Sequence, residues 1–197
     1  NPTYNNVATQ SLTHSSTGTT VIESGFAVNG ETVIENGTMV LKGLNQLRGS
    51  ISGAGTLAID WGAYDFDEVY DEYTMYALNI QGLDTLHVKS GGYGHADSGS
   101  IVVNNVILEK GTSFTQSKNT DLVTNMVTKE AAAVRLKDGT LGGSWKQEGS
   151  SSINVSGDAY LNSRLTQNGH LLTQTGGGIL HIGADSAAVL QNYKISS

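Results

Sequence analysis

The side chains best suited to chemistry lie together in one stretch, WGAYDFDEVYDEYTMY, from Trp61 to Tyr76. It holds five carboxylates and, besides Trp61, five of the eleven tyrosine and phenylalanine residues of the chain. Aromatic rings beside carboxylates can bind a sugar, because the rings stack on it and the carboxylates accept hydrogen bonds from its hydroxyls. The predicted ligand- or partner-binding residues are Trp61, Tyr64, Asp65, Asp67, Glu68, Tyr70, Asp71 and Tyr73.

Two other interpretations of this acidic-aromatic stretch stay open. Its carboxylates would also suit Ca²⁺, but their spacing lacks the glycine at the sixth position and the glutamate at the twelfth that an EF-hand loop requires. The stretch can equally be a solvated loop whose aromatic side chains pack on the rest of the chain. No metal site is therefore predicted.

Catalysis is not predicted. Glycosidases need two carboxyl groups across a cleft, one with a raised pKa, and an exposed acidic run gives no reason for such a difference. The segment Asp97–Ser100, DSGS, copies the end of the chymotrypsin-type nucleophile motif near His95. However, Ala96 replaces the glycine of that motif, so residues 90–100 are predicted to be a glycine-rich turn.

Composition excludes several classes of function. Among 197 residues there are eleven scattered lysines and arginines and a net charge of −7, so no basic surface for nucleic acid is expected. Cysteine is absent and the five histidines are dispersed, which gives no pattern for a metal or another cofactor. No run of eighteen apolar residues predicts a transmembrane helix.

A glycine repeat organises residues Thr19–Asp60, which come directly before the acidic-aromatic stretch. Glycine recurs there at Gly25, Gly37, Gly43, Gly49 and Gly55, on a six-residue beat that skips one position. Short units of fixed period are typical of a solenoid, in which each coil buries its apolar face on the next coil. Each glycine is predicted to take positive φ at a corner of the coil.

An eighteen-residue spacing predicts which residues stack. Because successive side chains of a β-strand point to opposite faces, Met39 and Leu41 are predicted to point inward. Lys42 is predicted to point outward, next to Asp60 of the following coil. The aligned sets are Thr20 with Thr38 and Thr56, Val33 with Ile51, Met39 with Leu57, Leu41 with Ile59, Ile153 with Leu171 and Val189, and Leu172 with Leu190.

These patterns predict an all-β fold, a parallel β-helix with about three short strands in each coil. Residues 1–18 are expected to form an N-terminal cap, an irregular first coil or a frayed end, and residues 19–197 the β-helix. The acidic-aromatic stretch, residues 61–76, is expected to project from it. In residues 121–137 the pattern favours two strands over a helix, because the segment ends in DGTLGG, like a turn of the repeat.

The glycine-punctuated segments ENGTMVL, SGAGTLAI and LEKGTSF resemble the passengers of AIDA-type self-associating autotransporter adhesins. The resemblance implies a right-handed parallel β-helix, although the six-residue beat leaves a left-handed helix open. It also implies an exported or released virulence factor at the outer-membrane surface of a Gram-negative bacterium, with roles in cell adhesion, aggregation and biofilm formation.

The expected function is accordingly that of a non-enzymatic adhesin. The expected partner is the chain itself on another cell, with glycans or host surface and matrix proteins as further partners. The alternative is a polysaccharide-binding or polysaccharide-cleaving β-helix of the phage tailspike or lyase kind. A third possibility is a structural stalk that binds nothing.

Overall fold

The computed structural model describes residues 7–23, 25–43, 45–47, 49–60, 76–77, 79–95, 101–116, 120–187 and 190–196. The first half of the described chain contains strands β1 Val7–Thr9, β2 Leu12–His14, β3 Thr19–Ile22, β4 Phe26–Val28, β5 Thr32–Ile34, β6 Thr38–Lys42, β7 Gln46–Leu47, β8 Ser50–Asp60, β9 Tyr76–Ala77, β10 Asn79–Ser90 and β11 Gly92–His95. The second half contains β12 Ile101–Leu108, β13 Ser113–Gln116, β14 Thr120–Thr128, β15 Ala133–Leu136, β16 Gly139–Gln147, β17 Ser151–Val155, β18 Asp158–Leu161, β19 Arg164–Thr166, β20 Leu172–Thr175, β21 Ile179–Ile182, the short helix α1 Ala184–Ala187, and β22 Tyr193–Ile195.

The strands form a parallel β-solenoid, which confirms the predicted all-β, parallel β-helix fold. Each coil contributes strands to three faces. Face 1 comprises residues 12–14, 32–34, 50–53, 79–83, 101–103, 120–122, 139–141, 158–161 and 179–182. Face 2 comprises residues 19–22, 38–42, 56–60, 85–90, 105–108, 124–128, 144–147 and 164–166. Face 3 comprises β1, β4 and β7, and then β9, β11, β13, β15, β17, β20 and β22.

Faces 1 and 2 are joined by long strands that bend in the middle. In β16, for example, the first residues pair with β18 and the last residues pair with β19. Gly143 lies at this bend with a φ of 86°, and Gly53 in β8 has a φ of 116°. Glycine is needed at such bends because a residue with a side chain rarely adopts positive φ.

The predicted register is correct in one region and wrong in others. Between β6 and β8, Met39 pairs with Leu57 and Lys42 pairs with Asp60, as expected from an eighteen-residue coil. Elsewhere the coils are longer, because surface turns such as Glu109–Thr112 add residues between strands. The corrected partners are Thr20 with Met39, Val33 with Ser52, Ile153 with Gln174 and Leu172 with Tyr193.

Apolar side chains stack from coil to coil in the interior of face 2. A continuous column of buried residues follows the strand register. Burial of each such side chain contributes about 1.5–3 kcal/mol, and the parallel register repeats that contribution in each coil. The column consists of Met39, Leu57, Leu86, Val106, Met126, Trp145 and Leu165.

A buried polar column replaces apolar side chains at the end of face 2 in the later coils. Gln147 Nε2 donates to Ser151 Oγ at 2.7 Å, and Gln167 Nε2 donates to Gln147 Oε1 at 3.1 Å. Gln167 also binds the next coil, because its Nε2 donates to the carbonyl of Asn192 at 2.8 Å. Since these buried groups are mutually satisfied, they fix the register without the cost of an unpaired polar atom.

The predicted corner glycines serve two different purposes. Gly25, Gly37 and Gly43 have positive φ, as predicted. For Gly49 and Gly55 that prediction is wrong, because neither is among the positive-φ glycines. These two are required by close packing instead, since a Cβ at Gly49 would lie 2.0 Å from the carbonyl oxygen of Gly30.

Three local predictions fall in described segments. Residues 121–137 contain β14 and β15, which confirms two strands rather than a helix. The predicted turn at residues 90–100 is wrong for Gly92–His95, which form β11, because Tyr93 is buried and stacks on Phe114 with centroids 5.6 Å apart. Residues 7–14 contain β1 and β2, which pair with β4 and β5.

Candidate functional site

Residues 61–75 of the acidic-aromatic stretch, predicted to bind a ligand, lie outside the described residues, as do residues 97–100 of the DSGS motif, whereas Tyr76 does not project but begins β9 and pairs with Gly94. The structure therefore leaves those predictions as they stand. The predicted residues concerned are Trp61, Tyr64, Asp65, Asp67, Glu68, Tyr70, Asp71 and Tyr73.

A column of small polar side chains runs along the outside of face 2. Its members pair in register from coil to coil and alternate with the inward apolar column, so they point away from the core. Successive coils are about 4.8 Å apart, so the hydroxyls and amides repeat at that interval. We call this column the polar ladder; it consists of Thr19, Thr38, Thr56, Thr85, Asn105, Asn125 and Ser144.

Hydrogen bonds between neighbours hold part of the polar ladder in place. Ser144 Oγ donates to Asn125 Oδ1 at 2.9 Å, and Asn125 Nδ2 donates to Asn105 Oδ1 at 3.3 Å. Asn105 Nδ2 in turn donates to the backbone carbonyl of Asp84 at 3.2 Å. An ordered row of this kind loses little side-chain entropy when it meets a partner, because its rotamers are already fixed.

A second column, of charged residues, lies at the ends of the face 2 strands from β6 to β16. In chain order its signs alternate between positive and negative along the solenoid. The backbone bonds from Glu109 N to the Val88 carbonyl and from Lys129 N to the Leu108 carbonyl continue the strand register through this column. We call it the charge ladder; it consists of Lys42 and Asp60, which pair directly, and of Lys89, Glu109, Lys129 and Glu148, with a register shift between the two groups because Asp60 pairs with Ser90.

Glu109 is the best-connected member of the charge ladder. Lys129 Nζ lies 2.8 Å from its Oε2, and His87 Nε2 lies 2.9 Å from its Oε1. The Lys129 ammonium holds the pKa of the Glu109 carboxyl below its usual value, and Glu109 raises the pKa of Lys129. At the next coil, the Lys146 ammonium 2.6 Å away lowers the pKa of Glu148.

We expect Glu109→Gln to lower the free energy of unfolding at neutral pH by about 0.5–1 kcal/mol, because the pair is partly exposed and screened by solvent. The folded-state pKa of Glu109 is depressed, so its contribution is present above the ordinary pKa of 4.5 and is lost as pH falls through the folded-state value. Urea unfolding of both proteins at a series of pH values should show a difference in the free energy of unfolding at neutral pH that disappears in acid.

The matched control for this prediction is Glu35→Gln. Glu35 is exposed and belongs to no ion pair between described residues. Its replacement should change the free energy of unfolding by less than about 0.5 kcal/mol. An ionic contribution would be contradicted if the difference in the free energy of unfolding between Glu109→Gln and the original protein stayed constant down to strongly acidic pH.

An exposed aromatic pair lies on face 1. The rings of Tyr160 and His181 stack with centroids 4.5 Å apart and an interplanar angle of 13°. His181 Nε2 lies 3.8 Å from Asp158 Oδ1, and Ile179, which pairs with Asp158, is 59% exposed. The stack uses one face of each ring, which leaves less ring surface for a sugar than an unpaired tyrosine would offer.

No group of three or more His, Asp or Glu side chains in the described part of the chain lies close enough to hold a metal ion. Among the same residues, no helix has the length and apolar character needed to cross a membrane. The arrangement that the described side chains do present is a regular outer surface of hydroxyls, amides and alternating charges.

The sequence predicted one register pair of the charge ladder but not the others. The Lys42–Asp60 pair followed from the eighteen-residue spacing. Lys89, Glu109 and Lys129 lie twenty residues apart, and this spacing is the signal that would have revealed them. The stacked Tyr160 and His181 are harder to recognise in the sequence, because their spacing of twenty-one differs from the twenty of the charge ladder.

No family model matches this chain, and no curated protein or solved structure matches it. The resemblance to autotransporter adhesins therefore stays a prediction based on the repeat pattern in the sequence.

Proposed function

We propose that this β-solenoid is a segment of an adhesin on the surface of a Gram-negative bacterium, which acts without catalysis by binding copies of itself on neighbouring cells. The observation that supports this most is the polar ladder, a row of in-register hydroxyls and amides on face 2. A solenoid whose interior is filled by side chains meets its partners through its outer faces.

The strength of such a contact comes from repetition. One hydrogen bond between two polar ladders contributes only about 0.5–1.5 kcal/mol, because each group gives up its bond to water. Several bonds along one face add up, and many copies on each cell convert weak contacts into strong attachment through avidity.

The charge ladder supports a specific orientation for the two copies. In a two-fold symmetric pair whose axis is perpendicular to the solenoid, the same surface of both copies meets and the order of residues is reversed. Taken in chain order, the six charges then meet opposite charges: Lys42 faces Glu148, Asp60 faces Lys129, and Lys89 faces Glu109, with the register shift at Asp60 displacing the first two contacts by one residue along the strand. Opposed like charges would disfavour a parallel arrangement of the two copies.

Beads coated with the purified chain test this proposal by the rate at which they settle. We expect beads bearing the original protein to settle together. Beads bearing only Lys129→Glu, or only Asp60→Lys, should stay dispersed, because each substitution places like charges opposite each other. A mixture of the two kinds should settle again, because the substituted residues then face each other as opposite charges.

The control is a double substitution on face 3, Ser152→Lys with Thr173→Lys, which changes charge away from both ladders and should leave settling intact. If beads with the original protein stay dispersed, self-association is wrong. If both single substitutions disperse the beads and the mixture does not recover, the two-fold orientation is wrong. Binding to a glycan array by a protein that does not settle would instead favour the polysaccharide-binding alternative.

A further inference from the structure

The chain contains three Asn–Gly steps, at Asn29–Gly30, Asn36–Gly37 and Asn168–Gly169. An asparagine followed by glycine can modify itself, because glycine has no side chain to block attack of its backbone nitrogen on the asparagine Cγ. The reaction needs an asparagine amide that is not held elsewhere and a glycine N–H that is not engaged in the fold. Folded structure therefore decides which of these steps reacts.

Asn36 meets both requirements. It is exposed in the turn between β5 and β6, and no hydrogen bond between described residues involves its side-chain amide or the N–H of Gly37. The flanking backbone is anchored, since Glu35 N donates to the His14 carbonyl at 2.9 Å and Thr38 N donates to the Gly18 carbonyl at 3.0 Å. The reactive groups are thus free within a turn whose ends are fixed.

The other two steps are engaged in the fold. Asn168 Nδ2 donates to the Gln147 carbonyl at 3.2 Å, and the Gly169 carbonyl accepts from Asn192 Nδ2 at 3.0 Å. These bonds tie the Asn168 turn to the coils on both sides. Asn29 also has a partner in the fold, and its backbone N–H donates to the Thr9 carbonyl at 2.9 Å.

We propose that Asn36 is a site of spontaneous deamidation in the folded protein. The Gly37 nitrogen forms a bond to Asn36 Cγ, the bond from Cγ to Nδ2 breaks, and ammonia leaves with the proton from the Gly37 N–H. Water then opens the resulting cyclic imide at one of its two carbonyl carbons. The product is aspartate in one case and isoaspartate in the other, and no oxidant or enzyme is required.

Isoaspartate would disturb the coil because it adds one methylene to the main chain just before Gly37. There is little room for this shift, since a Cβ at Gly37 would lie 2.3 Å from the Gly18 carbonyl oxygen of the preceding coil. The β6 strand begins at the next residue, where Thr38 pairs with Thr56. Conversion of Asn36 therefore loosens the start of a strand that carries the polar ladder, whatever that ladder binds.

Incubation of the folded protein and of the urea-unfolded chain in the same mildly alkaline buffer tests this inference. Peptide mass spectrometry measures loss of ammonia at each Asn–Gly step, and an isoaspartyl methyltransferase detects isoaspartate. In the folded protein, Asn36 should convert at least about fivefold faster than Asn168, the factor that one retained hydrogen bond provides. In the unfolded chain the two steps should convert at similar rates.

The control variant is Asn36→Gln, whose longer side chain forms the corresponding ring far more slowly. After the same incubation, the original protein should unfold at a lower temperature than before, and the variant should not. Equal conversion of Asn36 and Asn168 in the folded protein would overturn the inference. It would also be overturned if Asn36 stayed intact in the folded protein while it converted in urea.

Discussion

Replacement of Trp145 by alanine is expected to lower the free energy of unfolding by about 3–5 kcal/mol, the cost typical of removing a large aromatic side chain from a packed core. Trp145 is completely buried between Met126 of one coil and Leu165 of the next. Its Nε1 also donates to Thr128 Oγ1 at 2.9 Å. The substitution thus removes apolar contacts to two coils and one buried hydrogen bond.

Two further variants separate these contributions. Trp145→Phe retains most of the apolar contact but loses the hydrogen bond, and should cost about 1–3 kcal/mol. Val123→Ala changes a side chain that is 72% exposed, and should change the free energy of unfolding by less than about 0.5 kcal/mol.

Urea unfolding, monitored by the circular dichroism signal of the β-strands, measures the free energy of unfolding of all three variants. Because coils contact mainly their neighbours, the stability lost in Trp145→Ala should be greatest in the C-terminal coils. Backbone amides there should exchange hydrogen faster than in the original protein. A cost for Trp145→Ala as small as that for Val123→Ala would contradict a packed interior at this coil.

The sequence was sufficient for the fold class because two local rules agreed. Alternation of apolar and polar residues in segments such as Thr38–Lys42 predicted the inward side chains, and the glycine beat predicted short strands joined by turns. The Met39–Leu57 stack then confirmed both rules in the region where the coil has eighteen residues.

Register was not predictable beyond that region, because coil length is set by turns that leave little trace in the apolar pattern. The turn Glu109–Thr112 is closed by a bond of 3.2 Å from Thr112 N to the Glu109 carbonyl, and it can lengthen without disturbing the stacked strands. Its extra residues move the next coil out of the eighteen-residue register. In the same way, the Gln167–His170 turn, closed by a bond of 2.9 Å from His170 N to the Gln167 carbonyl, lies between Ser151 and Leu172, which pair twenty-one residues apart.

The buried polar column was unpredictable for a different reason. A rule that places apolar residues inside assigns Gln147 and Gln167 to the surface, yet both are buried. Their burial is tolerated because each amide finds partners on adjacent coils, and that depends on register, which the sequence did not provide. The charge ladder beyond Lys42 and Asp60 was missed for the same reason, since its members align only when the true coil length is known.

Replacement of Gly143 by alanine is the second substitution from which we expect a large loss, about 3 kcal/mol or more. Gly143 has a φ of 86°, and an added Cβ would lie 2.2 Å from the Thr124 carbonyl oxygen of the preceding coil. The left-handed backbone costs about 1–2 kcal/mol for an L side chain, and the overlap with a main-chain atom adds a further 1–3 kcal/mol of strain.

Gly111→Ala is the matched control, because Gly111 has a similar φ of 73° but nothing within 4 Å of an added Cβ. This variant has the cost of a left-handed backbone but no overlap between the added Cβ and a neighbouring coil, so its free energy of unfolding should fall by only about 1–2 kcal/mol. The difference between the two variants in urea unfolding thus measures how closely adjacent coils approach at the bend between faces 1 and 2. Equal losses would mean that glycine at the bend is required by its φ alone, and that the coils have room to separate there.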